Sequence, residues 1–372
     1  MKEWSKFLFL IGAFLVFSLA PMDAPVVTQS LSAGLSLLQE YARRHVLTCL
    51  VPAFFIAGTI AVYVKKNAVI RLLGPTTKKY IAYPVASVSG GILAVCSCTI
   101  LPLFASIYKR GAGIGPAVAF LFTGPAINVT AILLTGSVLG WDFAISRLAA
   151  AMVISVVAGL IMAFLFREHD ERNSANGFAT GLEDDLPYSG LTVTLFFILQ
   201  LGVLIFFALS VSLVVKAILI IGSIAAILGI VFLRFRREHN LEWMRETWNL
   251  TKKILPYLFV GIFIAGIMEV AIPKEFITGL VGQNTFVANI VASLFGAFMY
   301  FATLTEVPII QKLMALGMGR GPALTLFLTG NALSLPSMIV LFKLMGTKQA
   351  SIYILSIVIL SAFAGLLFGA FV

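Results

Sequence analysis

The sequence predicts an all-α polytopic membrane protein of two inverted-topology repeats, with about nine full spans, two re-entrant hairpins and broken helices at the core. Three observations carry that prediction. Of 372 residues, 60% are hydrophobic and 11% charged, and the mean hydropathy is +1.03. That is more apolar surface than a soluble domain could bury, and it is what a bilayer requires of an outer face. The chain also resembles itself at a fixed offset. Finally, its Lys and Arg gather on one side once two Gly- and Pro-bearing segments are folded back as hairpins.

Taken in order, the spans are 4–20, 46–64, 114–138, 143–166, 190–211, 213–233, 254–272, 321–342 and 350–371. Residues 1–20 resemble a signal peptide, with Lys2 and Lys6 ahead of an apolar run, but Pro21 makes a poor cleavage junction. They are read as a retained first helix, followed by an external segment to residue 45. Two segments remain. Tyr83–Arg110 contains Gly90, Gly91 and Pro102, and Thr285–Gly317 contains Gly296 and Pro308. With both as hairpins and the N-terminus inside, 19 of the 26 Lys and Arg fall on the cytoplasmic side; with both as single spans only 12 do. The excess of cytoplasmic positive charge found in membrane proteins favours hairpins. For the second segment alone the count is unchanged by the choice, and symmetry has to settle it.

The symmetry lies in the run from Gly113 to Gly124, which matches Gly319 to Gly330 at six of twelve positions, an offset of 206. The same offset pairs Gly90 with Gly296, Thr99 with Thr305, Pro102 with Pro308 and Gly140 with Gly346. Aligned Pro and Gly punctuation of this kind marks a duplication. Helix 46–64 then runs inward and its counterpart 254–272 outward, so the halves are inverted, as in many secondary transporters. The expected organisation is a first helix and external segment (1–45), repeat 1 (46–166), a cytoplasmic linker (167–189), two connecting helices with a cytoplasmic loop (190–253) and repeat 2 (254–372).

The net charge of +10 follows from the cytoplasmic loops. No basic run interleaved with aromatics points to nucleic acid. The three cysteines, Cys49, Cys96 and Cys98, are an odd number inside apolar stretches, which argues against a disulfide framework. His45, His169 and His239 are expected in loops or at their edges, away from any membrane-embedded metal site. No Walker A, HExxH or GxSxG pattern occurs, which argues against an ATP-driven pump and the commoner hydrolases.

Four broken places are candidates for chemistry. In Ala94–Pro102, Cys96 and Cys98 stand at i and i+2, on one side of an extended strand but about 200° apart on a helix. They could chelate only if the chain unwinds, with Thr99 capping the next half-helix. Two thiols, with Cys49 as a third if its helix touches the hairpin, suit a soft metalloid; the plain alternative is packing by small residues. At Thr123-Gly124-Pro125 a helix breaks in mid-membrane, with Asn128 one turn on, and a half-helix N-terminus there would face a polar or anionic substrate. The alternative is a proline kink. Thr329-Gly330-Asn331 repeats the break, with Ser334 in place of Asn128. In Thr303–Pro308, Thr305 precedes Glu306, an ionisable residue in an apolar segment and so a candidate proton carrier; the alternative is a structural ion pair with Lys312 or another base. Gln200, Lys216 and Glu269 are weaker polar candidates.

These motifs, from Ser89–Pro102 through Gly115-Pro-Ala, Thr123–Asn128 and Thr305–Pro308 to Gly330–Pro336, resemble the prokaryotic predicted-permease family that includes the ArsP-type organoarsenical efflux permeases. The resemblance spans about residues 46–372 and implies a permease of the cytoplasmic membrane. Some members are tied to trivalent organoarsenicals, and the Cys-Ser-Cys stretch looks like a family feature that fixes no substrate.

The expectation is a secondary transporter, proton-coupled, exporting a small substrate, with a trivalent organoarsenical as the best single choice and another soft or sulfur-containing solute next. A membrane thiol oxidoreductase and a passive channel are the rivals from other classes. No enzyme activity and no cofactor is implied, the partners are membrane lipid and a small solute, and oligomerisation is left open.

Overall fold

The structure is a computed structural model that describes residues 25–64, 66–75, 77–93, 97–168, 170, 188–208, 212–271, 280–300 and 306–371. Among these residues every regular element is a helix, as an all-α polytopic membrane protein requires. Six helices are long and apolar enough to cross a bilayer, and two further pairs, each bent by 50°, would raise the number to eight. The expected span 4–20 lies outside the described residues.

The chain opens with α1 (Pro25–Tyr41), a π-helical stretch (Ala42–Leu50) and α2 (Val51–Tyr63), followed by the short α3 (Lys66–Leu73). Then come α4 (Lys79–Leu93), α5 (Ser97–Lys109), α6 (Ile114–Ala126), α7 (Val129–Leu139) and α8 (Trp141–Leu165). After α9 (Gly190–Ala208) and α10 (Leu213–Leu233) the long α11 (Arg237–Ala271) precedes α12 (Phe286–Phe298) and α13 (Glu306–Ala315). The chain ends with α14 (Arg320–Ala332), α15 (Leu335–Met345) and α16 (Thr347–Phe371).

Two boundaries differ from the sequence reading. The external segment expected before residue 46 is helical from Pro25 and continues to Tyr63, with His45 in its π-helical stretch rather than in a loop. Arg44 pairs with Glu40 one turn earlier at 3.4 Å, and the helix runs on through this stretch. Of the loop expected over 234–253, residues 237–253 form the first half of α11, which also holds His239. Its charges fall on one face while Trp243 and Leu250 are buried on the other, and Trp243 Nε1 donates to Phe55 O at 3.1 Å. Charge density read as loop is an amphipathic helix. The weaker candidate Gln200 accepts a 2.9 Å hydrogen bond from Thr59 on α2, which ties α9 to the core.

Helices α6, α7, α8, α14, α15 and α16 carry the offset of 206 at both ends. So do the positive-φ glycines, Gly111 with Gly317 and Gly140 with Gly346, at turns that a Cβ would strain. Close packing recurs too. A Cβ on Gly90 would collide with Thr123 Oγ1, and one on Gly296 with Thr329 Oγ1. At the α6–α8 crossing a Cβ on Gly115 would stand 2.7 Å from Gly159 O, and at the α14–α16 crossing one on Gly321 would stand 2.6 Å from Gly365 O. Lipid tails are as apolar as Leu, so van der Waals contact between small residues holds such helices together.

Both ambiguous segments fold back. Tyr83 meets Gly115 and Gly90 meets Thr123, so α4 runs parallel to α6, whereas Ile100 at the start of α5 packs on Gly124 near the end of α6. The chain then returns, and Gly113 N donates to Leu73 O at 2.8 Å, closing the mouth of the hairpin. The second hairpin closes likewise, through Gly319 N and Val281 O at 2.9 Å. The two mouths sit at opposite ends of α8. The Ile114 N–H, at the first, points to both carboxylate oxygens of Asp170, beyond the end of α8. Arg320, at the second, pairs with Asp142 in the first turn of α8.

Gly159→Val should overpack the α6–α8 crossing by about 1–3 kcal/mol and lower the Tm of the detergent-solubilised protein. Gly229→Val on α10, with nothing within 4 Å, should leave the Tm unchanged. Burial pushes the Asp170 carboxyl from 3.8 up to about 6, against the pull of the Ile114 N–H. A carboxyl whose folded value is raised stabilises most when protonated, so its contribution is full below about pH 4 and lost as pH rises through about 6. Asp170→Asn should therefore flatten the Tm–pH curve in that window relative to the unsubstituted protein.

Candidate functional site

Each bent pair is a helix interrupted inside the molecule. The first break falls at Ile127-Asn128, not at Thr123-Gly124-Pro125, because α6 continues through Pro125 to Ala126. Thr123 is spent inside α6, its hydroxyl donating to Ala119 O at 2.9 Å, and Thr329 repeats this towards Thr325 O at 2.8 Å. Gly124 gives Ile100 room to pack. The second break falls at Leu333-Ser334, leaving Asn331 buried within α14. Asn128 and Ser334 then occupy equivalent N-cap positions. Asn128 Oδ1 accepts from Ala131 N at 3.3 Å, and Ser334 Oγ from Ser337 N at 3.4 Å. Each satisfies an orphan N–H of the half-helix that follows, a contribution of about 1 kcal/mol.

At the tip of the first hairpin, Cys98 lies in the first turn of α5 and is buried. Thr99, expected as the cap of that half-helix, is inside it, because α5 begins two residues earlier at Ser97. Cys96 and Thr305 lie outside the described residues. Cys49 is the last residue but one of the π-helical stretch, which touches α5, so the condition set for its joining the hairpin is met at the level of the elements.

Glu306 opens α13 and is fully buried. Its ionic partner is not Lys312, which is exposed on the same helix, but Arg147 on α8, with Nη2 at 3.4 Å from Oε2. Arg147 is 1% exposed. It also donates through Nη1 to Thr135 Oγ1 on α7 at 3.0 Å, and its guanidinium lies 4.7 Å above the Phe327 ring of α14. Asn331 is near enough to act on the carboxylate, and among the described residues Glu306 Oε1 and Asn331 Nδ2 are buried without a hydrogen-bond partner. The sequence reading does not single out Arg147. The signal was present, since an Arg seven residues into an apolar 25-residue helix is as costly as the carboxylate that drew attention.

At the offset of 206, Arg147 aligns with Tyr353, Glu306 with Ile100 and Thr135 with Leu341. The charged cluster therefore belongs to one side of an otherwise repeated framework. A separate apolar cavity of about 660 Å³ opens beside the first hairpin, lined by Tyr63, Leu73, Val85, Ser89, Phe120 and Phe197 among others.

Neutralising one member of the buried pair leaves the other charge uncompensated, which typically costs 3–5 kcal/mol. Arg147→Met and Glu306→Gln should each lower the Tm, and the double variant should recover most of the loss. A double variant as unstable as the sum of the single ones would show that the two side chains do not interact.

The model of a family described as predicted permeases, ArsP_1, matches residues 30–370. The UPF0718 protein MJ0584 of Methanocaldococcus jannaschii is 43% identical over 343 residues, covering 89% of this chain and 93% of that protein. The UPF0718 protein YraQ of Escherichia coli is 25% identical over 254 residues, 68% of this chain and 58% of its own. A Streptococcus mutans protein named for a subunit role in a two-component membrane permease complex is 27% identical over 151 residues, 40% of this chain and 48% of its own. No solved structure matches the chain significantly. With buried charge at interrupted helices and a family model matched over nearly its whole length, the chain belongs to the predicted-permease family ArsP_1.

Proposed function

We propose that this permease is a secondary transporter of the prokaryotic cytoplasmic membrane, with two halves of opposite orientation and the transport path between them. The observation that carries the reading is the pair of hairpins with mouths at opposite ends of α8, each lying against the interrupted helix of its own half. Contacts also cross over: α5 touches α15, and α13 touches α7. Interrupted helices at the centre of inverted halves are the usual setting for substrate and ion sites in such proteins. The positive-inside rule puts the first mouth and the N-terminus in the cytoplasm.

The proposed substrate is a trivalent organoarsenical, exported in exchange for protons. Cys98 in the first turn of α5, Cys96 two positions before it in the sequence and Cys49 on the stretch that touches α5 supply soft thiols. The apolar cavity beside α4 would admit an organic substituent from the cytoplasmic side. Asn128, Ser334, Thr123, Gly124, Pro125, Thr99, Thr305 and Asn331 shape the surroundings, and Glu306 carries the proton.

The test is accumulation of trivalent methylarsenite in everted vesicles driven by an acid lumen. Vesicles bearing the protein should accumulate it, and Cys96→Ser/Cys98→Ser and Glu306→Gln should each fall to the level of empty vesicles. Absence of accumulation with the unsubstituted protein removes this substrate, and accumulation by Glu306→Gln removes the proton role.

A further inference from the structure

The Arg147–Glu306 pair is unequal in how its members are held. Arg147 has two anchors that do not depend on Glu306, namely Thr135 Oγ1 at 3.0 Å and the face of Phe327. Glu306 has a single 3.4 Å contact to Arg147 and Asn331 nearby, and among the described residues its second carboxylate oxygen has no hydrogen-bond partner. A buried Arg fixed permanently to a carboxylate is commonly bidentate and short. This contact is neither, and an unpartnered buried acceptor is costly enough to require an explanation. The two members also belong to different parts of the frame, Arg147 to α8 and Glu306 to the tip of the second hairpin. Movement of that tip relative to α8 would part the pair, leaving Arg147 on its anchors and Glu306 without its counterion.

We infer that Arg147 is the positioning residue for proton exchange at Glu306, and that making and breaking this one contact is the coupling step. The inference rests on the proton-coupled reading above. When the tip parts from α8, the carboxylate takes a proton from hydronium in the pathway, giving a neutral carboxylic acid and water. Arg147 keeps its charge on Thr135 and Phe327. When the tip returns, the guanidinium reclaims the carboxylate, and the proton leaves to water on the side then open. One proton is bound and one released per cycle, with no other reactant.

The groups facing Glu306 are few. Among the described residues Arg147 is the one charged side chain acting on it. Helix α7 offers Thr135 and no titratable residue. Helix α14 offers Asn331, its Arg320 being at the far end and paired with Asp142. On α13 itself Lys312 is exposed.

The experiment is infrared titration of the protein in lipid from about pH 5 to about pH 9, with the Glu306 carboxylic-acid band assigned by its absence in Glu306→Gln. Arg147→Gln should keep that band to a pH about 1–3 units higher than the unsubstituted protein, the size of an adjacent opposite charge. Arg147→Lys should bring it back towards the original pH. Thr135→Val keeps the shape of the side chain and removes the other acceptor of Arg147. It should throw the guanidinium onto the carboxylate and move the band to lower pH, which keeps the test open if Arg147→Gln does not fold. Bands unmoved in the variants, or a Thr135→Val shift to higher pH, overturn the inference and leave the transporter reading standing. A protein with no Glu306 band anywhere in the range overturns both the inference and the proton role of Glu306.

Discussion

Lipid offers no hydrogen bonds, and everything distinctive in this chain follows from that constraint. A helix interrupted at membrane depth exposes backbone donors and acceptors that must find partners within the protein. Here the partners are short and local. Asn128 and Ser334 cap the half-helices α7 and α15, while Thr123 and Thr329 return their hydroxyls to their own helices. The interruptions also need walls. The glycines at 90, 115, 159, 296, 321 and 365 let neighbouring helices approach until a single added carbon would collide. Packing of that closeness turns two weak points of the backbone into a rigid centre.

On this repeated frame the charge is placed once. Arg147, Glu306 and Thr135 meet at one side of the centre, and their counterparts at the offset of 206 are Tyr353, Ile100 and Leu341. Stability does not demand such a cluster, because a buried ion pair barely recovers the cost of removing both charges from water. At the equivalent positions the chain carries no charge, and Ile100 packs on Gly124. The surface pairs at the two mouths, Lys109 with Glu246 and Arg320 with Asp142, are exposed at least in part and contribute little by comparison.

The sequence by itself determined the class, the offset and the punctuation. Hydropathy sets the membrane as solvent, and the recurring Gly and Pro mark where helices stop, since φ and Cβ restraints act within a few residues of the chain. That is why six helices recur with both ends at the same offset, and why Asn128 and Ser334 were legible as equivalent. Tertiary structure decided the rest. Whether Arg43–His45 or residues 234–253 leave the helix depends on what lies beside them, and α2 and α11 supply each other's buried face. The breaks come after Pro125 and Asn331, and in the first half Ile100 of α5 packs on Gly124 just ahead of the break. The meeting of Arg147 with Glu306 joins positions 159 apart. Local pattern shows that each charge is expensive, but only the folded chain shows which one answers the other.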